Sequence, residues 1–171
     1  MTQTRTDQEA RDKVWALIRD IEVATLVTID ADGHLRGRPM RAAKLQEFDG
    51  TLWFFTGDHT PKTEEIRHDE RVLLAYSDPS AQNYVSISGT AQVMRDVAKQ
   101  KALWSEPMRV WFPGGPEDPK ASLLKVVVEG AEYWDSPSST LLHAYGYVKA
   151  RLTGESPQGG ENDKVSFKRP A

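Results

Sequence analysis

ATLVTIDADGHLRGRPMRAAKLQEFDGTLWFFT, residues 24–56, carries the decision about the fold. Its first part, ATLVTID (24–30), is β-branched and stops at Asp32-Gly33, a dipeptide that closes hairpins because its backbone accepts positive φ. The return strand is read as Leu35–Leu45, Asp49-Gly50 marks a second turn, and TLWFFT (51–56) supplies a third strand. Three strands joined by two short glycine turns predict an antiparallel meander. Further along, RVLLAYSD (71–78) is a continuous apolar run and predicts a central strand. YVSISGTAQV (84–93) alternates, with Val85, Ile87, Gly89, Ala91 and Val93 on one face and Ser86, Ser88, Thr90 and Gln92 on the other. That is the pattern of a half-buried antiparallel strand. SLLKVVVEGAEYWD (122–135) reads as the last strand, bulged near Gly130.

Helices fit around these strands. Thr6 and Glu9 have capping-box spacing, and Val14, Leu17, Ile18 and Ile21 recur at helical intervals, which predicts a helix over about 7–20. A short helix over 61–68 starts behind Thr60 as cap and Pro61 at its first position, with Glu64 and Glu65 at the positive end of its dipole. Residues 96–104 predict a third helix and Leu141–Leu152 a final one. WFPGGPEDP (111–119) reads as a loop, and from Gly154 the chain is polar and predicted disordered. The whole predicts a mainly β fold, a small antiparallel barrel with flanking helices, in one domain over 1–152 followed by a polar tail over 153–171. Regular βαβ alternation, GxGxxG and the P-loop motif are absent, which argues against a Rossmann or P-loop nucleotide site.

Composition narrows the classes. The 171 residues are 39% hydrophobic and 27% charged, as in a globular domain with one core. No apolar run approaches the roughly 18 residues that span a bilayer, and the N-terminus has no secretory pattern. With no cysteine, disulfides, thiol nucleophiles and zinc–thiolate sites are excluded, and a cytoplasmic location is expected. The net charge of −3 argues against nonspecific nucleic-acid binding. Four histidines without paired spacing suggest no metal site, and no GxSxG elbow or paired carboxylates mark a hydrolase.

One cationic segment stands out: Arg36, Arg38, Arg41 and Lys44 fall close together on the second strand. If that strand neighbours the third, Arg38 meets the Thr60–Lys62 turn. Guanidinium, ammonium, the Thr60 hydroxyl and the first amides of a helix would then face one phosphate. On spacing alone the plainer reading is favoured, a solvated strand beside an ordinary helix start. Trp53, Phe54 and Phe55, like Trp104, Trp111 and Trp134, are read first as core or interface residues.

DGHLRGRPM (32–40), LWFFTGDHTPKTEEI (52–66) and RVLLAYSD (71–78) together resemble the FMN-binding split-barrel superfamily that includes pyridoxamine 5′-phosphate oxidase. YVSISGTAQV (84–93), LWSEPMRVWFPGGPEDP (103–119) and AEYWDSP (131–137) are similar to its bacterial general stress protein subgroup. The resemblance covers roughly 8–135. It implies a six-stranded antiparallel split barrel that forms a homodimer, with FMN sites across the subunit interface. By this resemblance Arg38, Thr60 and Lys62 contact the FMN phosphate, which reverses the plainer reading above. Phe55 and Thr56 stand in the aromatic–aromatic–threonine strand that lines the flavin, and Pro39 and Met40 lie along its ring through their backbone. Asn83 and Tyr84 occupy a region that approaches flavin in relatives, often from the second subunit, and Trp111 is a further candidate for ring contact.

Two departures qualify the function. Pro61 stands where pyridoxamine phosphate oxidases commonly carry a basic residue before the lysine, and their C-terminal Arg-Leu-His substrate motif is missing. Oxidation of pyridoxamine phosphate is therefore not expected. The resemblance implies an FMN-dependent oxidoreductase, in which the flavin carries the electrons and no acid–base constellation is required. The alternatives are a non-catalytic stress protein that sequesters flavin, and a split barrel that binds deazaflavin F420. Haem is disfavoured because no histidine is marked as an axial ligand.

Overall fold

The computed structural model describes residues 7–44, 47–135 and 161–167. Helix α1 (Asp7–Ile21) leads into β1 (Val23–Ile29), β2 (Leu35–Arg41) and β3 (Thr51–Gly57), and α2 (Pro61–His68) follows. Then come β4 (Arg71–Asp78), β5 (Asn83–Met94), α3 (Val97–Leu103), β6 (Ala121–Asp135) and β7 (Glu161–Ser166). All strand pairs are antiparallel, in the order β2-β1-β4-β5-β6-β3, with β7 also on β6. This is the expected mainly β split barrel with flanking helices, with seven described strands where six were expected, the additional one being β7. The sheet is not closed: its end strands approach each other where the Ala43 N–H donates to the Trp53 carbonyl at 2.7 Å.

The predicted meander is corrected here. β1 and β2 do form a hairpin, Val23 opposite Arg41 through Ile29 opposite Leu35, but β3 pairs with β6 at the far end of the sheet. A turn signal such as Asp49-Gly50 reports a reversal of the chain; it does not say which edge receives the next strand. β4 does lie centrally, between β1 and β5, although its residues alternate, with Arg71, Leu73 and Ser77 exposed.

The polar tail also departs from expectation. Glu161–Ser166 is a strand because β6 is fifteen residues long and β3 pairs only with Ala121–Val127, leaving Gly130–Asp135 as an edge that β7 takes. Among the described side chains of this segment, Val165 and the following Phe167 are turned into the core, too weak a pattern to read from composition. The capping residue Thr6, the helix Leu141–Leu152 and the boundary at 152 lie outside the described residues.

The main core is the inner face of the sheet closed by α1. Ala10, Val14, Leu17 and Ile18 of the helix pack with Leu26, Phe54, Leu74, Ile87 and Val126. Leu26, Phe54 and Leu74 are fully buried, each contributing about 1.5–3 kcal/mol of transfer free energy. The bulge expected near Gly130 is present: Ser88 faces Gly130 and Gly89 faces Val128, so Glu129 is the extra residue. On the other face, Phe55, Phe112, Ala121 and Leu123 form a second cluster that includes Trp104 and Leu103. Arg95 holds the 105–118 loop over it, donating to the carbonyls of Asp118 and Ala121 at 2.9 Å and Glu117 at 3.1 Å.

Candidate functional site

The site is built where α2 meets the β1–β2 hairpin. Thr60 is the N-cap in extended conformation, and Pro61 opens the helix. The Thr60 N–H donates to Thr63 Oγ1 at 2.8 Å, while the Thr63 and Glu64 amides donate to the Thr60 carbonyl at 3.0 and 3.1 Å. Proline has no N–H. Of the first-turn amides, Lys62 therefore keeps the donor that has no acceptor among the described residues, a narrower anion cradle than the sequence suggested.

Thr63 and Ile66 are buried and fix the helix against the barrel. Arg38, opposite Leu26 on β2, reaches this helix across β1. Its Nη2 donates to Glu65 Oε2 at 2.7 Å, and its Nη1 donates to the hydroxyl of Thr28. Thr28, fully buried, passes its own proton toward Glu65 Oε2 at 2.5 Å. Lys62 lies half-buried beside this trio and forms no ion pair among the described residues. Burial, then the nearby Arg38 charge, hold its ammonium below the ordinary lysine range, opposed by Glu65. The group thus carries two cations against one carboxylate, and an incoming anion relieves the imbalance.

Arg38 and Lys62 come together as the sequence suggested, but by a different route. The helix docks on β1 and β5, and Arg38 reaches it from β2; no β2–β3 strand pairing is involved. Glu65 and Thr28 were not singled out as site residues. The available signal was spacing, since Lys62 and Glu65 are three residues apart and share a helix face.

The remaining candidates are dispersed. Pro39 is exposed on the edge strand β2, and Met40 packs against the main core. Phe55 turns its ring into the second cluster, edge-on to Trp104 at 5.6 Å between centroids. Thr56 is buried opposite Ser122, its hydroxyl donating to the Gly57 carbonyl at 3.3 Å. Asn83 and Tyr84 open β5, and Tyr84 stands opposite Trp134. The Asn83 Oδ1 is buried without a donor among the described residues. Trp111 is 78% exposed on the loop after α3. Among the described contacts, nothing joins Asn83, Tyr84 or Trp111 to the Arg38 group. Asp30, Asp32 and His34 bring ligand atoms within 4.8 Å of one another, but Asp30 already accepts from the Asp32 and His34 amides and from Arg36, which makes it a turn-forming carboxylate.

Residues 9–158 match the family model described as pyridoxamine 5′-phosphate oxidase like. A general stress FMN/FAD binding protein from Xanthomonas citri is 30% identical, with 77% of this chain and 92% of that one covered at a TM-score of 0.67. A candidate general stress protein 26 from Jannaschia sp. CCS1 is 25% identical and superimposes at a TM-score of 0.76, covering 94% of this chain and 99% of that one. Protein bli-3 of Neurospora crassa is 23% identical over 163 residues, 90% of this chain and 78% of its own.

Proposed function

The chain belongs to the pyridoxamine 5′-phosphate oxidase-like family, and from that premise we propose that it binds FMN, with the phosphate at Arg38 and Lys62, and acts as a flavin-dependent oxidoreductase. The observation that carries this reading is the undercompensated pair: two convergent cations, one carboxylate and the free amide of Lys62 at the start of α2. These residues fit a phosphate, which takes charge-assisted bonds from guanidinium and ammonium and a hydrogen bond from a helix amide. Bound FMN would supply electron and hydride transfer, for which protein side chains have no equivalent. The described residues of this chain then bind, orient and shield.

We further infer a homodimer. The outer face of β1, β4 and β5 presents Thr25, Val27, Leu73, Ala75, Ser86 and Ser88 in register, a patch of uncharged side chains bordered by Arg71 on β4 and Glu132 on β6. Such a patch, without charge at its centre, suits a second copy of the chain. A second subunit would also supply Asn83, Tyr84 or Trp111, which no described contact joins to the Arg38 group within one chain.

A fluorescence titration of flavin-free protein with FMN and riboflavin tests the phosphate site. FMN should bind at least about tenfold more tightly, because one charge-assisted bond contributes about 1.5–3 kcal/mol. Equal affinities would remove the site, and binding of neither would make F420 the next ligand to titrate. Turnover is a separate question, read by anaerobic reduction of the bound flavin with NADH or NADPH. A flavin that stays oxidised would favour the sequestering role, which the missing substrate motif supports.

A further inference from the structure

A carboxylate beside a phosphate site weakens anion binding unless it does something else. Glu65 stands in that position, and its geometry shows what else it does. Arg38 rises from β2, which among the described strands pairs only with β1, on a long side chain with many rotamers. Glu65 Oε2 takes Nη2 at 2.7 Å, and Thr28 takes Nη1 while donating to the same carboxylate oxygen at 2.5 Å. The fully buried Thr28 cannot move without disturbing the core. The guanidinium is therefore clamped at its Nη end, with Nε–H left without a partner among the described residues.

Resting on the phosphate site proposed above, we propose that Glu65, bridged by Thr28, is the positioning residue that aims Arg38 at the phosphate. Glu65 holds the arginine in one orientation before the ligand arrives, so the ordering of that side chain is not charged against binding. Its negative charge acts in the opposite sense, repelling the phosphate. With Arg38 present, orientation outweighs repulsion. With Arg38 absent, only repulsion remains, so the effect of Glu65 reverses sign.

The test is a double-mutant cycle on the flavin-free full chain, titrated with FMN and riboflavin. Glu65→Gln should weaken FMN about fivefold and leave riboflavin unchanged. In an Arg38→Ala background the same change should strengthen FMN by about threefold. Thr28→Val removes the bridge without altering charge and should weaken FMN in the same direction as Glu65→Gln, which keeps the idea testable where one variant folds poorly. Selective FMN binding by the unaltered protein with Glu65→Gln equal or tighter would overturn the positioning role alone. Equal affinity of the unaltered protein for FMN and riboflavin would overturn the phosphate site and this role together.

Discussion

Lys62 gives the residue scale its clearest prediction. Burial and Arg38 lower its pKa from the ordinary 10.5, with Glu65 acting against them. For a base lowered in the fold, the unfolded chain holds more protons in the window between the folded value and 10.5. Stability therefore rises with pH through that window, and the cost of keeping Lys62 charged is fully present below it. Lys62→Met should raise the melting temperature of flavin-free protein at neutral pH while weakening FMN by more than about tenfold, as measured by thermal denaturation and titration. A lower melting temperature would contradict the strain assigned to this ammonium. FMN affinity should also decline as pH rises through the lowered Lys62 value, and Lys62→Arg, which stays charged, should shift that decline upward. A pH-independent affinity across that range would show that the ammonium does not touch the phosphate.

At the scale of elements, the bulge between β5 and β6 and the loop after α3 carry the geometry. A Cβ on Gly89 would collide with the Val127 carbonyl, a backbone atom held in the sheet, so Gly89→Ala should destabilise by about 1–3 kcal/mol and lower the melting temperature by several degrees. No change on calorimetry would mean that the bulge yields freely. Arg95 is the second case, since one guanidinium satisfies two loop carbonyls and that of Ala121 at the start of β6. Arg95→Met should cost about 1–2 kcal/mol and speed hydrogen exchange in the 112–121 segment that lies over Phe55. Exchange unchanged from the parent would place the hold on that loop in the aromatic cluster alone. The alternation of β5 and a bulge near Gly130 were legible beforehand because period-two patterning and a lone glycine in an apolar strand report local backbone geometry; that Glu129 is the extra residue came from the register. The strand Glu161–Ser166 was not, because it has few apolar residues and exists by pairing with the free half of β6.

For the whole molecule, the outward patch of Thr25, Val27, Leu73, Ala75, Ser86 and Ser88, which Arg71 borders on β4, predicts self-association. Leu73→Glu, which plants a carboxylate at the centre of that patch beside Val27 and Ser88, should convert a dimer to monomer in analytical ultracentrifugation without unfolding it. A parent chain that sediments as a monomer at all concentrations would remove the dimer and with it any site shared between subunits.

What the sequence determined by itself is local. Hairpin turns, the strands at 24–30 and 84–93, the helix start at Thr60-Pro61 and the cations Arg38 and Lys62 all follow from torsional preference, periodicity and charge, which depend on near neighbours. Its long-range content came through resemblance to a family, and the fold it implied is the one observed. The tertiary structure alone decided which edge β3 joins, since a turn leaves that choice to the packing of β6. It alone decided that α2 brings Lys62 to Arg38, and that Thr28 and Glu65, residues from two other segments, clamp the arginine. The cause is the same in each case: burial and ion pairing between distant segments depend on how the whole sheet folds over its core, and no window of sequence contains that information.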